Sequence, residues 1–159
     1  MGSRSKIDLA YIAGFLDGDG SLMLQIKKRK DGKLKKRFMA TICFYQDTRH
    51  EKDLFWIQKV LEIGYISRRN DGITELRING YAQTLDILKA LLPFIRFKKL
   101  QAKALYSAAE MLTDIKFRSL TKKQLLKLIT LILVIQSENY VTKRKKTEQE
   151  LRTMLGLTP

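Results

Sequence analysis

Residues 12–21 read IAGFLDGDGS, an apolar run with small residues at regular spacing, closed by two aspartates around one glycine. Upstream, from about residue 6 to 18, the pattern is helical, and Asp8 stands near the start, where a negative charge suits the helix dipole. Downstream the period changes to two. In SLMLQIKKR, residues 21–29, Leu22, Leu24 and Ile26 share one face, while Ser21, Met23, Gln25, Lys27 and Arg29 share the other. That alternation predicts a half-buried strand. The quoted stretch is therefore a junction of helix and strand, with its acids at the helix C-terminus.

Ala10, Gly14 and Gly18 are four residues apart on one helix face. Small residues at that spacing let two helix backbones approach closely. Two glycines inside a helix cost about 1 kcal/mol each against alanine, which asks for a packing reason. If the helix pairs with its own copy about a two-fold axis, two C-terminal ends lie side by side, each with partial negative charge and unpaired carbonyls. The predicted interface comprises Ala10, Ala13, Gly14, Asp17 and Gly18. Asp19 then meets its symmetry mate, and two carboxylates with backbone carbonyls make a hard-oxygen site suited to Mg²⁺. The bland alternative is small core residues and an Asp19 that only caps a turn; the dipeptides alone favour it.

The rest of the chain extends the pattern. A second strand is predicted at about 36–45, where Phe38, Ala40, Ile42 and Phe44 alternate with Arg37, Met39, Thr41, Cys43 and Tyr45. A helix follows at about 50–62, with Gly64 placed to stop it. Strands at 65–69 and 73–78 flank the turn Asn70-Asp71-Gly72. Helices are predicted at about 81–91, ending before Pro93, and at about 98–112. Thr121 with Gln124 and Thr147 with Glu150 read as capping boxes. The order α-ββ-α-ββ-α plus further helices makes one α+β domain over 6–159, with residues 1–5 an unstructured leader whose Met1-Gly2-Ser3 reads as a cloning scar. The longest apolar run, LLKLITLILVIQ at 125–136, contains Lys127 and is too short to span a bilayer.

Thirty-one Lys and Arg stand against 16 acids in 159 residues, a net charge of +15. That field favours a polyanion, and nucleic acid is the commonest; no lipidation signal or amphipathic anchor points to a membrane. One cysteine, Cys43, and one histidine, His50, exclude an internal disulfide and a His/Cys zinc cage. The cations concentrate in KKRKDGKLKKR, residues 27–37, and continue on the polar strand face. Four strands thus present one cationic surface while their other faces pack on helices. A β-ribbon fits the DNA major groove. A nine-residue strand spans about 30 Å, roughly nine base pairs. The narrow major groove of A-form RNA does not admit such a ribbon, which favours DNA. The predicted DNA-facing residues are Gln25, Lys27, Arg29, Lys33, Arg37, Thr41 and Cys43 on the first hairpin, and Ser67, Arg69, Glu75 and Arg77 on the second.

IAGFLDGDGS, with this order of elements, resembles the signature of the LAGLIDADG homing endonucleases over nearly the whole chain, about residues 6–155. One copy of the motif is visible, so the chain is similar to the homodimeric, single-motif class. The resemblance implies an αββαββα core, an antiparallel four-stranded DNA-binding saddle and C-terminal helices. It implies an intron-encoded, often organellar enzyme; a prokaryotic cytoplasm is also compatible. It implies metal-dependent double-strand cuts with short 3′ overhangs in a long, nearly palindromic DNA site, by water attack. Mg²⁺ is the implied cofactor, with Mn²⁺ substituting and Ca²⁺ binding without supporting cleavage. Asp19 matches the metal-binding catalytic aspartate and the Gly18 carbonyl its backbone partner, while Asp17 matches the structural first acid. Gln46 matches the residue that orders water, and Lys98, in PFIRFKKLQA, the basic residue that stabilises developing charge. Arg49, His50 and Lys52 compete for a further basic position, with Arg49 favoured. Lys143, in TKRKKT at 142–147, matches a backbone-contacting region.

Other classes compete. Asp31-Gly32-Lys33 mimics a restriction-type pattern but sits at a hairpin tip, where a catalytic pair is poorly held. An RNA-binding intron maturase, or an inactive DNA-binding regulator, shares the fold; Asp19, Gln46 and Lys98 together argue against pure regulation. A basic ribosome-associated protein explains the charge but not the acidic helix end.

Overall fold

Ser5 begins the first helix, its side chain accepting from the Asp8 backbone N–H, and α1 runs Lys6–Asp19. The helix passes directly into β1, Gly20–Lys28. Gly20 makes that junction fit: a Cβ there would lie 2.8 Å from the Leu16 carbonyl oxygen and 2.9 Å from the Leu16 Cα. The glycine after the second aspartate is thus required by the close approach of strand to helix.

The computed structural model describes residues 4–30, 36–139 and 143–157. After β1 come β2 (Lys36–Asp47), a 3₁₀ turn (Thr48–His50), α2 (Lys52–Leu61), β3 (Tyr65–Arg68), β4 (Ile73–Asn79), α3 (Tyr81–Leu91) and α4 (Lys99–Asp114). A second 3₁₀ turn (Phe117–Ser119), α5 (Lys122–Glu138) and α6 (Glu148–Met154) complete the order. The predicted α+β order holds throughout. Asp31, Gly32 and Lys33, assigned to a turn and to DNA contact, lie outside the described residues, as does Thr142 of the basic C-terminal run.

The strands form one antiparallel sheet in the order β1-β2-β4-β3. Leu22, Leu24, Ile26, Phe38, Ala40, Ile42, Phe44, Leu76 and Ile78 are buried, and strand alternation places them on the helix-covered face, against α1, α3, α4 and α5. The register sets Ser21 beside Cys43, Cys43 beside Arg77 and Arg77 beside Tyr65, one row across all four strands on the opposite face.

Helix ends show where chain chemistry ruled and where tertiary packing did. Thr121 and Gln124 form the predicted capping box reciprocally; Thr147 accepts from the Glu150 N–H. Gly64 does not stop α2. The stop is Glu62, held in the left-handed region at φ 55°, with its N–H on the Gln58 carbonyl. Gly64, at φ 96°, serves the entry to β3 instead, where a Cβ would come within 3.0 Å of the Arg77 carbonyl oxygen. Among the described residues no helix is long and apolar enough to cross a membrane.

Candidate active site and nucleic-acid interface

The two acids of the opening motif have different fates. Asp17 is buried, 9% exposed. Its carboxylate accepts from the Arg96 N–H at 2.8 Å and the Lys98 N–H at 3.0 Å, pinning the segment that leads into α4. An acid at a helix start also meets the favourable end of the dipole. Asp19, the last residue of α1, is exposed. Lys98 joins the two: its ammonium donates to the Asp17 carbonyl at 2.5 Å. Burial pulls the Lys98 pKa below that of an ordinary lysine, and the Asp17 and Asp19 carboxylates oppose that shift. One mouth of α1 thus gathers Asp17, Asp19 and Lys98.

The carbonyls at this helix end are taken in order. The Gly20 N–H closes on Leu16 O and Lys98 on Asp17 O, and the Gly18 carbonyl is next. Asp19 and that carbonyl are hard oxygen donors. Among the described residues no group of three His, Cys, Asp or Glu side chains could hold a metal within one protomer. Mg²⁺ keeps several waters and takes one or two carboxylates, so this sparse set would suit it if a second protomer brought its own Asp19.

Gln46 stands two residues beyond Phe44, which pairs with Gly20, so it lies level with the α1 terminus. Its side-chain oxygen accepts from the Asp47 N–H at 2.9 Å, and it faces a hollow lined by Tyr11, Phe15 and Trp56. Arg49 turns to Asp47 rather than towards Asp19: its guanidinium makes bonds of 3.0 and 2.9 Å to the two carboxylate oxygens. Those bonds hold the Asp47 carboxyl at about 2. His50 and Lys52 are exposed, so all three basic candidates are open to solvent.

The α1 face predicted for self-pairing is open at Ala10, Gly14 and Gly18, which are exposed, and a Cβ at Gly14 or Gly18 meets nothing within 4 Å. Ala13 and Asp17 correct the expectation. Ala13 is 0% exposed and packs in the protomer core, and Asp17 is buried because its carboxylate is taken by the Arg96 and Lys98 N–H groups of the segment before α4. Around the open stripe stand Ile7, Tyr11 and Phe97, large apolar side chains 81%, 68% and 86% exposed.

On the polar sheet face, Lys27, Arg29 and Arg37 are exposed, and Gln25, Ser67 and Arg77 are half-buried. Arg69 and Lys143 are exposed. Three expected readers are covered. Thr41 is 0% exposed and donates to Asn79 Oδ1 at 2.7 Å, and Asn79 in turn donates to the Tyr65 hydroxyl at 3.0 Å. Cys43 is 0% exposed in the centre of the sheet, and burial pushes its thiol up to about 11. Glu75, 7% exposed, is clasped by Arg69 at 3.3 Å and Arg77 at 3.0 Å. Alternation placed all three on the polar face; neighbouring side chains of that face, Asn79, Tyr45, Arg69 and Arg77, cover them. The same face carries polar groups outside the predicted DNA-facing set: Tyr45, which alternation places on that face and which bonds to the Ser21 hydroxyl at 2.8 Å, and Asn79 and Tyr65. Continuing the period of two to the end of β4 would have named Asn79.

The sequence profile of the family described as LAGLIDADG endonuclease matches residues 12–106. The DNA endonuclease I-CvuI of Chlorella vulgaris is 33% identical over 113 residues, 71% of this chain and 70% of that one. The DNA endonuclease I-CreI of Chlamydomonas reinhardtii is 28% identical over 151 residues, 95% of this chain and 90% of that one. The crystal structure of I-CvuI in complex with its target, in the presence of 2 mM Ca, superposes with a TM-score of 0.83 at 28% identity, covering 97% of this chain and 98% of that one. With a helix ending in the acidic motif, a polar four-stranded sheet face and these similarities together, the chain belongs to the LAGLIDADG endonuclease family.

Proposed function

We propose that the protein is a site-specific DNA endonuclease of the homing type. It works as a homodimer and makes metal-dependent double-strand cuts with short 3′ overhangs in a long pseudo-palindromic site. The observation that carries this is the mouth of α1, where an exposed Asp19 stands beside a Lys98 anchored on the Asp17 carbonyl, at the edge of a cationic sheet face. Similar proteins are described in complex with DNA, I-CvuI in the presence of Mg and of Ca.

Asp19 and the Gly18 carbonyl would hold Mg²⁺, with Mn²⁺ as a substitute and Ca²⁺ as a binding-only ion. When bound, the cation supplies charge neutralisation at a phosphodiester and a more acidic water. The protein's own groups do the rest. Asp17 fixes the backbone of residues 96–98, and so fixes where the Lys98 ammonium stands. That ammonium, already partly desolvated, offsets charge developing on phosphate oxygens better than a solvated lysine does. Gln46 orders water by its amide, and Arg49, released from Asp47 or left on it, adds positive charge nearby. Lys27, Arg29 and Arg37, with Lys33 and Lys143, hold the phosphate backbone; Gln25, Ser67, Arg69 and Arg77 reach base edges. Dimerisation runs through Ala10, Gly14 and Gly18. Such an enzyme acts where an intron and its target share a compartment, an organelle above all, or a prokaryotic cytoplasm.

The test is cleavage of a randomised duplex library with Mg²⁺ beside the Asp19→Asn variant. Discrete double-strand cuts at one pseudo-palindrome, absent in the variant, are the expected result. Cutting retained by Asp19→Asn removes the metal assignment, and binding without cutting by the parent protein turns the reading to a regulator or an RNA-binding maturase. Gly14→Leu checks the dimer by sedimentation: it should shift mass towards the monomer.

A further inference from the structure

Beyond the end of β4 the outer half of β2 loses a neighbour. β4 stops at Asn79, opposite Thr41, and Gly80 turns the chain away at φ 108°. The edge this exposes, residues 36–40, walls a cleft of about 740 Å³ whose far side is the Phe117–Ser119 turn between α4 and α5. Carbonyls on that edge are already satisfied: the Tyr81 hydroxyl donates to Phe38 O at 2.5 Å, and the Gly80 N–H donates to Ala40 O at 3.3 Å. The Phe38 and Phe117 rings, 5.8 Å apart, form part of its lining.

Five cations line this cleft, Arg29, Lys36, Arg37, Lys116 and Arg118, and no carboxylate among the described residues does. Among the described residues none of the five is ion-paired. Lys36 is steadied by the Met154 carbonyl. Elsewhere the chain pairs its arginines readily, as Arg68 with Glu51 and Arg77 with Glu75 show. Like charges around one concavity repel one another, and a bound polyanion relieves that repulsion. Arg37 belongs to both surfaces: it lines the cleft and sits opposite Lys27 on the polar sheet face.

We propose that this cleft is a backbone clamp: it takes a phosphodiester group of duplex DNA beyond the outermost base pairs facing the sheet, and Lys116 and Arg118 are its gripping cations. The inference rests on the DNA-cutting function above and extends its footprint onto the α4–α5 turn. An arginine presents a fork that fits two phosphate oxygens, and a lysine adds a mobile point charge. Contacts of this kind fix register without reading sequence.

The experiment compares the parent protein with Lys116→Gln/Arg118→Gln, whose altered side chains are exposed, and with Lys27→Gln on the sheet face. Binding to a duplex of about 40 base pairs, roughly four helical turns, is measured against salt concentration, and the backbone is footprinted with hydroxyl radicals. The double variant should flatten the log–log salt slope by about 2 per protomer and lose protection only at the outer flanks. An unchanged slope and footprint in the double variant, with a flattened slope in Lys27→Gln, overturns the clamp and leaves the DNA function standing. A parent protein that binds no duplex overturns both.

Discussion

The two ends of the sheet carry opposite arrangements of charge. Where α1 meets β1, opposite charges are matched: Asp17 is satisfied by two backbone N–H groups, and Lys98, anchored on the Asp17 carbonyl, feels both the Asp17 and Asp19 carboxylates. At the far end, Arg29, Lys36, Arg37, Lys116 and Arg118 gather without a described acid. A matched, partly desolvated cluster holds atoms in place, as chemistry requires. An unmatched field acts at a distance and grips whatever polyanion approaches. On the function proposed above, the first end is a place for reaction and the second a place for hold, and substitutions should separate them.

The largest separation is expected within the motif itself. Asp19→Asn should slow cleavage at least about 10³-fold, some 4 kcal/mol of barrier, while duplex affinity and melting temperature stay near those of the parent. Asp17→Ala should do the reverse first. It removes the acceptor of two N–H bonds at a buried position, about 2–4 kcal/mol of stability and a melting temperature lower by roughly 5–10 °C. A variant at Asp17 that melts like the parent would break the comparison, since the matched end would then need no anchor. Calorimetry and a cleavage assay on the same two samples decide it.

Lys98 sharpens the contrast by pH. Its folded pKa lies below the ordinary lysine value because burial disfavours the ammonium. Between the folded and unfolded values the unfolded chain binds more protons, so this group makes stability rise with pH across that alkaline window. Activity that needs the ammonium should fall in the same window, at lower pH than for a solvated lysine. Asp19→Asn removes one of the two carboxylates that oppose the shift, so the Lys98 titration followed by NMR should move lower still. A titration unmoved by that change would separate Asp19 from Lys98 electrostatically.

At the other end, Lys27→Gln with Arg37→Gln should flatten the salt slope of duplex binding by about 2 per protomer and leave the cleavage rate of the bound complex nearly unchanged. A lowered rate at saturating protein would show that the gripping end reaches into the chemistry.

Local periodicity wrote the scaffold of both ends legibly. Leu22, Leu24 and Ile26 forced β1 to present one face to the helices, and the change of period at Gly20 located the acidic mouth. What the chain could not show was covering by distant elements. Ala13 and Gly14 are neighbours in sequence, yet one is in the core and the other open, a phase that one helix of mixed small residues does not reveal. Glu62 in the left-handed region replaces a glycine stop because strand packing claims Gly64. Glu75 lies between Arg69 and Arg77 because β3 and β4 pair, and Lys116 and Arg118 reach the β2 edge only through the path of α4. Long-range juxtaposition of this kind leaves no periodic trace.

The smallest expected effect tests the middle of the sheet, which belongs to neither end. Cys43 alternates with core residues and so points to the polar side of the sheet, proposed to face DNA, but it is wholly covered beside Ser21 and Arg77. Its thiol, pushed up to about 11, is protonated at neutral pH and shielded. The thiolate is the reactive form, so a thiol reagent should leave Cys43 unmodified in the native protein and modify it on unfolding. Cys43→Ala removes one buried sulfur, a loss of about 1 kcal/mol in stability, and should change duplex affinity by less than about twofold, or 0.4 kcal/mol. A larger affinity loss at unchanged stability would mean that the sheet centre opens on DNA and that its covering residues, Tyr45 and Arg77, move aside to let bases in. The contrast between matched and unmatched ends would then describe the free protein alone, and the bound sheet would read DNA along its whole length.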